Sequence, residues 1–198
     1  NRQKEKTKIF LSICIPSFNR GKDAFVAVQE VLRSGYDEEI EVIVSNNGST
    51  VNIEGYQKIK DIKDNRVRYY EAEENAGFAG NIKKLIQLSK GEYLVFQSDQ
   101  DRIISPCLPL YLNQLTRNGN IFAASSNGKG VNFSPRPFEG VITDKNTVLD
   151  GVLNHTYLTG LFIHRQSIFD SGGMELYEQL KNNTMVDYYT HIFFMLTA

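Results

Sequence analysis

The sequence predicts an α/β protein with a mainly parallel central sheet flanked by helices. Three observations carry this prediction. Strand-length apolar runs (Ile9–Ile15, Glu41–Ser45, Val67–Tyr70 and Tyr93–Phe96) alternate with segments of helical apolar spacing. Turn-forming residues, among them Pro16, Gly35, Asn46-Asn47-Gly48 and Gly91, separate one from the other. The last of these runs ends abruptly in two carboxylates, Asp99 and Asp101. The carboxyl end of a strand is where open α/β sheets hold their ligands.

Taken in order, residues 1–8 are polar and read as a lead-in, and one domain follows from residue 9 to 198. Pro16 closes the first strand. Ala24, Val28, Val31 and Leu32 recur at helical spacing up to Gly35. After the second strand and its Asn-Asn-Gly turn comes a polar region, then the short third strand. Ile82, Leu85, Ile86 and Ser89 predict a helix stopped at Gly91, and the fourth strand begins at Tyr93. Alternation of this kind favours parallel strands joined by crossovers on the sheet faces.

Beyond Asp101, residues 106–115 predict a helix and Ile121–Ser125 a strand. Residues 126–140, with Gly, Asn, Ser and two Pro, read as a loop or hairpin near the site. Tyr157–His164 reads as a further strand containing Gly160. Met185, Tyr188, Tyr189, Ile192, Phe193 and Leu196 fit a single amphipathic helix. The chain stops inside that segment, so a fragment truncated at its C-terminal end is expected.

Composition narrows the function. With 198 residues and 41% hydrophobic content the chain can bury one core. A net charge of -1 offers no broad basic surface, so nucleic acid is not an expected partner. No run approaches the ~20 apolar residues of a membrane span, and no secretory signal is visible. Cys14 and Cys107 form no CxxC, which argues against a disulfide framework or zinc site. A cytoplasmic location is the expectation.

Backbone that stays extended past a strand puts residues i and i+2 on one face, so Asp99 and Asp101 are expected to point the same way. Crowded carboxylates repel unless a cation sits beside them. A hard divalent ion, Mg²⁺ or Mn²⁺, shared with a substrate phosphate, is the natural occupant. A solvated acidic turn is the alternative reading of an isolated Asp-x-Asp.

Four segments stand in order: Ile13 to Arg20 (ICIPSFNR), Val42 to Thr50 (VIVSNNGST), Glu74 to Asn81 (ENAGFAGN) and Asp99-Gln100-Asp101. Together they resemble the family 2 glycosyltransferases with the GT-A fold, over roughly residues 9–175. The resemblance implies a three-layer sandwich in which Pro16, Ser17, Asn19 and Arg20 line the nucleotide, Arg20 facing base or phosphate. Asn46 stands where the family usually carries an acid for the base. Its amide oxygen can still accept from uracil N3–H, but its NH₂ adds a donor, so the departure weakens a uridine donor without excluding it; a UDP- or TDP-sugar stays the favoured donor. Asn75 and Gly77 form a turn that presents N–H groups to phosphate at a helix start. Asn81 contacts the donor or caps a turn. Asp101 ligates the cation; Asp99 hydrogen-bonds ribose or sugar, or reaches the metal through water.

The resemblance further implies inverting transfer to a hydroxyl acceptor, saccharide or lipid-linked saccharide, in bacterial surface polysaccharide synthesis. Peripheral contact with the inner membrane face would follow. Asp187, downstream of Gly172-Gly173, is the candidate general base, and His191 at i+4 could tune or replace it. Asp170, Glu175 and Glu178 are rivals. His155 and His164 read as structural. Arg165 reaches a phosphate or caps a helix, Gly160 admits an acceptor sugar, and Tyr157 stacks on a sugar or packs. Three alternatives remain: a catalytically silent nucleotide-sugar-binding module, a nucleotidyltransferase of related fold, and a flavodoxin-like or response-regulator-like module.

Overall fold

A computed structural model describes residues 9–35, 39–103, 105–117, 123–125, 143–153 and 157–198. The lead-in, His155 and the 126–140 loop lie outside the described residues. The first half alternates strictly: β1 (Leu11–Ser17), α1 (Gly21–Leu32), β2 (Ile40–Asn46), α2 (Glu54–Lys60), β3 (Val67–Glu71), α3 (Gly77–Leu88) and β4 (Tyr93–Phe96). Then come α4 (Leu108–Arg117), β5 (Ala123–Ser125), α5 (Lys145–Leu153) and β6 (Leu161–His164). Four helices close the chain: α6 (Arg165–Asp170), α7 (Gly173–Leu180), α8 (Thr184–Tyr188) and α9 (Thr190–Thr197).

The six strands among the described residues form one sheet in the order β3-β2-β1-β4-β6-β5. β1 to β4 are mutually parallel, and only β6 runs the other way, antiparallel to both β4 and β5. Period-two alternation sends Leu11, Ile13 and Ile15 to one face, against α1, α2 and α4. Cys14, Ile43, Leu94 and Phe96 face the other way, against α3, α6, α7 and α9. The result is the expected three-layer sandwich, with β1 buried on both faces as parallel strands are.

β1 runs two residues further than the sequence suggested, through Pro16. The Gln97 N–H donates to the Cys14 carbonyl, and pairing with β4 stops at Cys14 opposite Phe96, while pairing with β2 continues to Ser17 opposite Asn46. Alternate residues of a strand address alternate neighbours, so the N–H that Pro16 lacks would have faced the side where β4 has already ended.

α2 was not foreseen, because only Tyr56 and Ile59 of Glu54–Lys60 give an apolar face. It lies against α1 at two glycines. A Cβ on Gly55 would stand 2.0 Å from the Gly21 carbonyl, so the two backbones meet with no room for a side chain. The contact buries Tyr56 beneath the end of β1. Two other expectations change. β6 begins only at Leu161, because Gly160 at φ +89° turns the chain. The predicted helix over 185–196 is bent at Tyr189 into α8 and α9, where the Thr190 hydroxyl donates to the Val186 and Asp187 carbonyls.

Candidate functional site

At the carboxyl edge of the sheet the ends of β1, β2 and β3 and the turn after β4 meet in one hydrogen-bonded cluster. The Ser17 hydroxyl donates to Asp99 Oδ2 at 2.7 Å. A hydroxyl carries one proton, so the Tyr56 hydroxyl, 2.7 Å away, donates to Ser17. Tyr56 in turn accepts from Ser49 at 3.2 Å and from the Arg20 N–H at 3.1 Å. Arg20 Nη1 pairs with Asp99 Oδ1 at 3.3 Å, its own side chain 52% exposed beside a carboxylate only 3% exposed. Burial raises the pKa of Asp99 above the usual carboxylate value; the Ser17 hydrogen bond and Arg20 pull the other way.

Asn46 is wholly buried and engaged at both ends. Its oxygen accepts from the Ser49 N–H at 3.1 Å, and its NH₂ donates to the Tyr69 hydroxyl (2.9 Å) and to Glu71 Oε1 (3.1 Å). Glu71 Oε2 is held by Lys60 at 2.6 Å. Asn47 ties the neighbouring turn. It accepts from the Ala76 N–H at 3.1 Å and donates to Asn75 Oδ1 (2.8 Å) and the Gly77 carbonyl (3.0 Å). Gly48, at φ +68°, lies so close to Glu74 that a Cβ would stand 2.5 Å from its carbonyl carbon. The Asn46–Ser49 turn and the Asn75–Gly77 turn are therefore one packed unit at the start of α3, and, against expectation, its N–H groups do not point to a phosphate: the Ala76 N–H is taken by Asn47 and the Gly77 N–H by Asn75 Oδ1 at 2.8 Å.

Asn19, at φ +59°, clamps the exit of β1. Its side-chain oxygen accepts from the Thr50 and Val51 N–H groups, its carbonyl accepts from Asn52, and its own N–H donates to Ser49. Asn81 is buried, with its NH₂ directed at the Ser45 carbonyl at 3.3 Å. The cluster thus gathers Pro16, Ser17, Asn19, Arg20, Asn46, Asn75, Gly77 and Asp99 at one edge of the sheet, with Arg20 as its exposed cation.

Asp101 departs from expectation. The chain turns after β4, with the Asp101 N–H donating to the Ser98 carbonyl at 3.1 Å. The extended geometry that would align the two acids is lost. Asp99 reaches towards β1. Asp101 reaches towards the segment before β6, where the Tyr157 hydroxyl donates at 2.8 Å to Oδ2 and 3.1 Å to Oδ1, and the Thr159 hydroxyl donates to Oδ2. Among the described residues no three His, Cys, Asp or Glu side chains converge as a metal cage.

Asp187 and His191 are not a matched pair on one helix face. The bend at Tyr189 leaves Asp187 half-buried on α8, while His191 is buried on α9 with its ring edge-on to Phe78, centroids 5.7 Å apart. Asp187 lines a cleft of about 660 Å³ with Gly77, Phe78, Tyr177, Lys181 and Tyr188. That cleft shares Gly77 with the turn at the start of α3, and so adjoins the cluster. Of the rival acids, Glu178 is paired with Lys83 and Lys181, and Asp170 accepts from Gln166. His164 is structural, hydrogen-bonded to Ser167. Arg165 lies at the opposite edge of the sheet, its N–H donating to Glu92 at the start of β4 and its guanidinium to Ser89, far from any phosphate bound at the carboxyl ends.

Residues 12–173 match the family model described as Glycosyl transferase family 2. A putative colanic acid biosynthesis glycosyl transferase, WcaA of Escherichia coli, is 28% identical over 121 residues, covering 60% of this chain and 43% of that protein. The chain spans less than half the length of the curated relatives it matches. The TarS 1-349 structure from S. aureus superposes with a TM-score of 0.65 at 17% identity, over 94% of this chain and 55% of that one, and TarS is also solved with UDP-GlcNAc. The mannosyltransferase PcManGT of Pyrobaculum calidifontis, solved with GDP-Man and Mn²⁺, superposes at 0.58 and 12% identity, over 85% of this chain and 48% of that one. These likenesses establish a GT-A fold.

Proposed function

Because the chain belongs to glycosyl transferase family 2, we propose that it carries the donor site of an inverting glycosyltransferase that moves a sugar from a nucleoside diphosphate to a hydroxyl acceptor. The observation that carries the reading is the placement of Arg20, Asp99 and Asp101 together at the carboxyl edge of β1 and β4. Arg20 is anchored by a buried acid and still half-exposed, which suits a cation awaiting an anionic ligand. Asp99, held by Ser17, has the reach of a ribose or sugar acceptor. The names of relatives add support: TarS and PcManGT bind UDP-GlcNAc and GDP-Man, and WcaA is named for colanic acid biosynthesis.

Asp101 fits a divalent cation. Its carboxylate is held by neutral hydroxyls and forms no ion pair among the described residues, the neighbouring Arg102 donating instead to the Asp99 and Asp101 backbone carbonyls. Mg²⁺ and Mn²⁺ commonly use one or two carboxylates and complete their shell with substrate phosphate and water. Such an ion would neutralise charge growing on the departing diphosphate. Asp187, on the adjoining cleft, is the candidate base for the acceptor hydroxyl, whose oxygen attacks the anomeric carbon from the side opposite the leaving group.

The engaged state of Asn46 bears on the base. With its oxygen taken by Ser49, a uracil N3–H would have to compete for it, so Tyr69 and Glu71 join Asn46 as candidates for reading the base. The acceptor is a saccharide or lipid-linked saccharide, and surface polysaccharide assembly at the inner membrane face is the proposed setting. No described helix is long and apolar enough to cross a membrane.

Calorimetric titration with UDP, TDP, GDP and CDP, each with and without Mn²⁺, tests the donor site. One diphosphate should bind with metal, and Asp101→Ala should weaken it at least tenfold, about 1.4 kcal/mol. Failure of all four to bind well-folded protein would overturn the reading.

A further inference from the structure

Asp101 is held in two unlike ways. The Tyr157 hydroxyl stands 3.1 Å from Oδ1 and 2.8 Å from Oδ2, so one proton is shared across the fork of the carboxylate, the place a chelated cation would take. The Thr159 hydroxyl addresses Oδ2 alone. Thr159 also accepts the Ser98 N–H at 2.9 Å. With one proton to give and lone pairs to receive, it links the carboxylate to the backbone of its own turn. Tyr157 is 42% exposed and stands outside the two buried core clusters.

We propose that Tyr157 is a latch on Asp101: its hydroxyl fills the carboxylate fork until a divalent cation displaces it, while Thr159 stays and aims the carboxylate. The proposal rests on the reading of Asp101 as a cation ligand. Tyr157 and Thr159 are then positioning residues with opposite effects on metal affinity. Loss of the competing hydroxyl strengthens cation binding; loss of the aiming hydroxyl weakens it, as loss of an outer-shell partner does. Asp99 plays no part in the latch, being held by Ser17 and Arg20 on the other side of β4.

The test is Mn²⁺ binding, read from the paramagnetic resonance signal of free Mn²⁺, with Mn²⁺ alone and with UDP or GDP added. Tyr157→Phe should tighten binding by about 3- to 10-fold, the net worth of one hydrogen bond. Thr159→Val should weaken it by about 10-fold, and Thr159→Ser, which keeps the hydroxyl, should restore it. Unchanged or weaker binding in Tyr157→Phe, with binding still lost in Asp101→Asn, would overturn the latch and leave the cation reading standing. Equal binding by wild type and Asp101→Asn, or none by wild type and Tyr157→Phe alike, would instead overturn the cation reading itself.

Discussion

Two acids sit at opposite ends of this sheet, each buried and each paired with an arginine, yet they do different work. Glu41, at the amino end, is 1% exposed and has its partners supplied from all sides. Ser12 donates at 2.6 Å, the Lys90 N–H at 2.7 Å and Arg68 at 2.9 Å, and Arg68 also reaches the Leu88 carbonyl. Asp99, at the carboxyl end, has one short hydrogen bond from Ser17 and a looser one from an arginine that faces solvent. The closed cluster ties β1, β2, β3 and the turn before β4 together. The open one leaves hydrogen-bonding capacity for something else. Burial and charge alone do not separate scaffold from site; the completeness of the partner shell does.

The sharpest way to break this comparison is Glu41→Ala. It strands Arg68 against the sheet and should cost about 3–5 kcal/mol in urea unfolding. A loss below about 1 kcal/mol would mean the amino-end cluster is no scaffold. Gly55→Ala comes next. With the Gly21 carbonyl 2.0 Å from the new methyl, α1 and α2 must separate, at about 1–3 kcal/mol. Tyr56 would be displaced as well, so nucleoside diphosphate affinity should fall along with the melting temperature; retained affinity would uncouple the helix crossing from the site.

Asp99→Asn should behave the other way round. Its stability should stay within about 1 kcal/mol of wild type, because the ion pair it loses is long and made to a half-exposed arginine, while calorimetric affinity for the diphosphate falls about tenfold or more. Loss of stability with affinity intact would make Asp99 a second scaffold acid.

The smallest effect is in pH. Glu71 is held below its usual value of 4.5, chiefly by the hydrogen bond from Lys60. Its contribution is complete above that value and lost as pH falls through the lowered one. Asp99, raised above its usual 3.8, contributes in the opposite sense: fully below 3.8, and lost as pH rises through the raised value. Urea midpoints between pH 3 and 7 should show a shallower acid decline for Glu71→Gln. For Asp99→Asn the acid decline should be steeper than in wild type. Parallel profiles for all three proteins would refute both assignments.

Much of the first half was legible in the sequence because its signals are local. β2, β3, β4, α1 and α3 each announce themselves by period and by a flanking turn, and the Asp99–Asp101 turn falls at the carboxyl end of β4, where the sequence puts it. What stayed hidden depends on distant partners. Tyr56 lies in a polar stretch with little helical signature, and reaches Ser17 across 39 positions. Tyr157 and Thr159 read as strand residues, and nothing near them in sequence shows that they meet Asp101, more than 50 positions away. Asp187 and His191 share a face only on a straight helix; the Thr190 hydroxyl, bonding back to the preceding turn, removes that premise.

The burial of Cys14 gives the protein two thiols that keep different time. Cys107 is half-exposed, whereas Cys14 sits inside β1 with its pKa driven up by burial and by the nearby Glu41 charge. An alkylating reagent meets the first thiol in the folded chain and the second only after β1 has left the sheet. Labelling at Cys14 is therefore a clock for opening of the whole sheet, and Cys107 its internal reference.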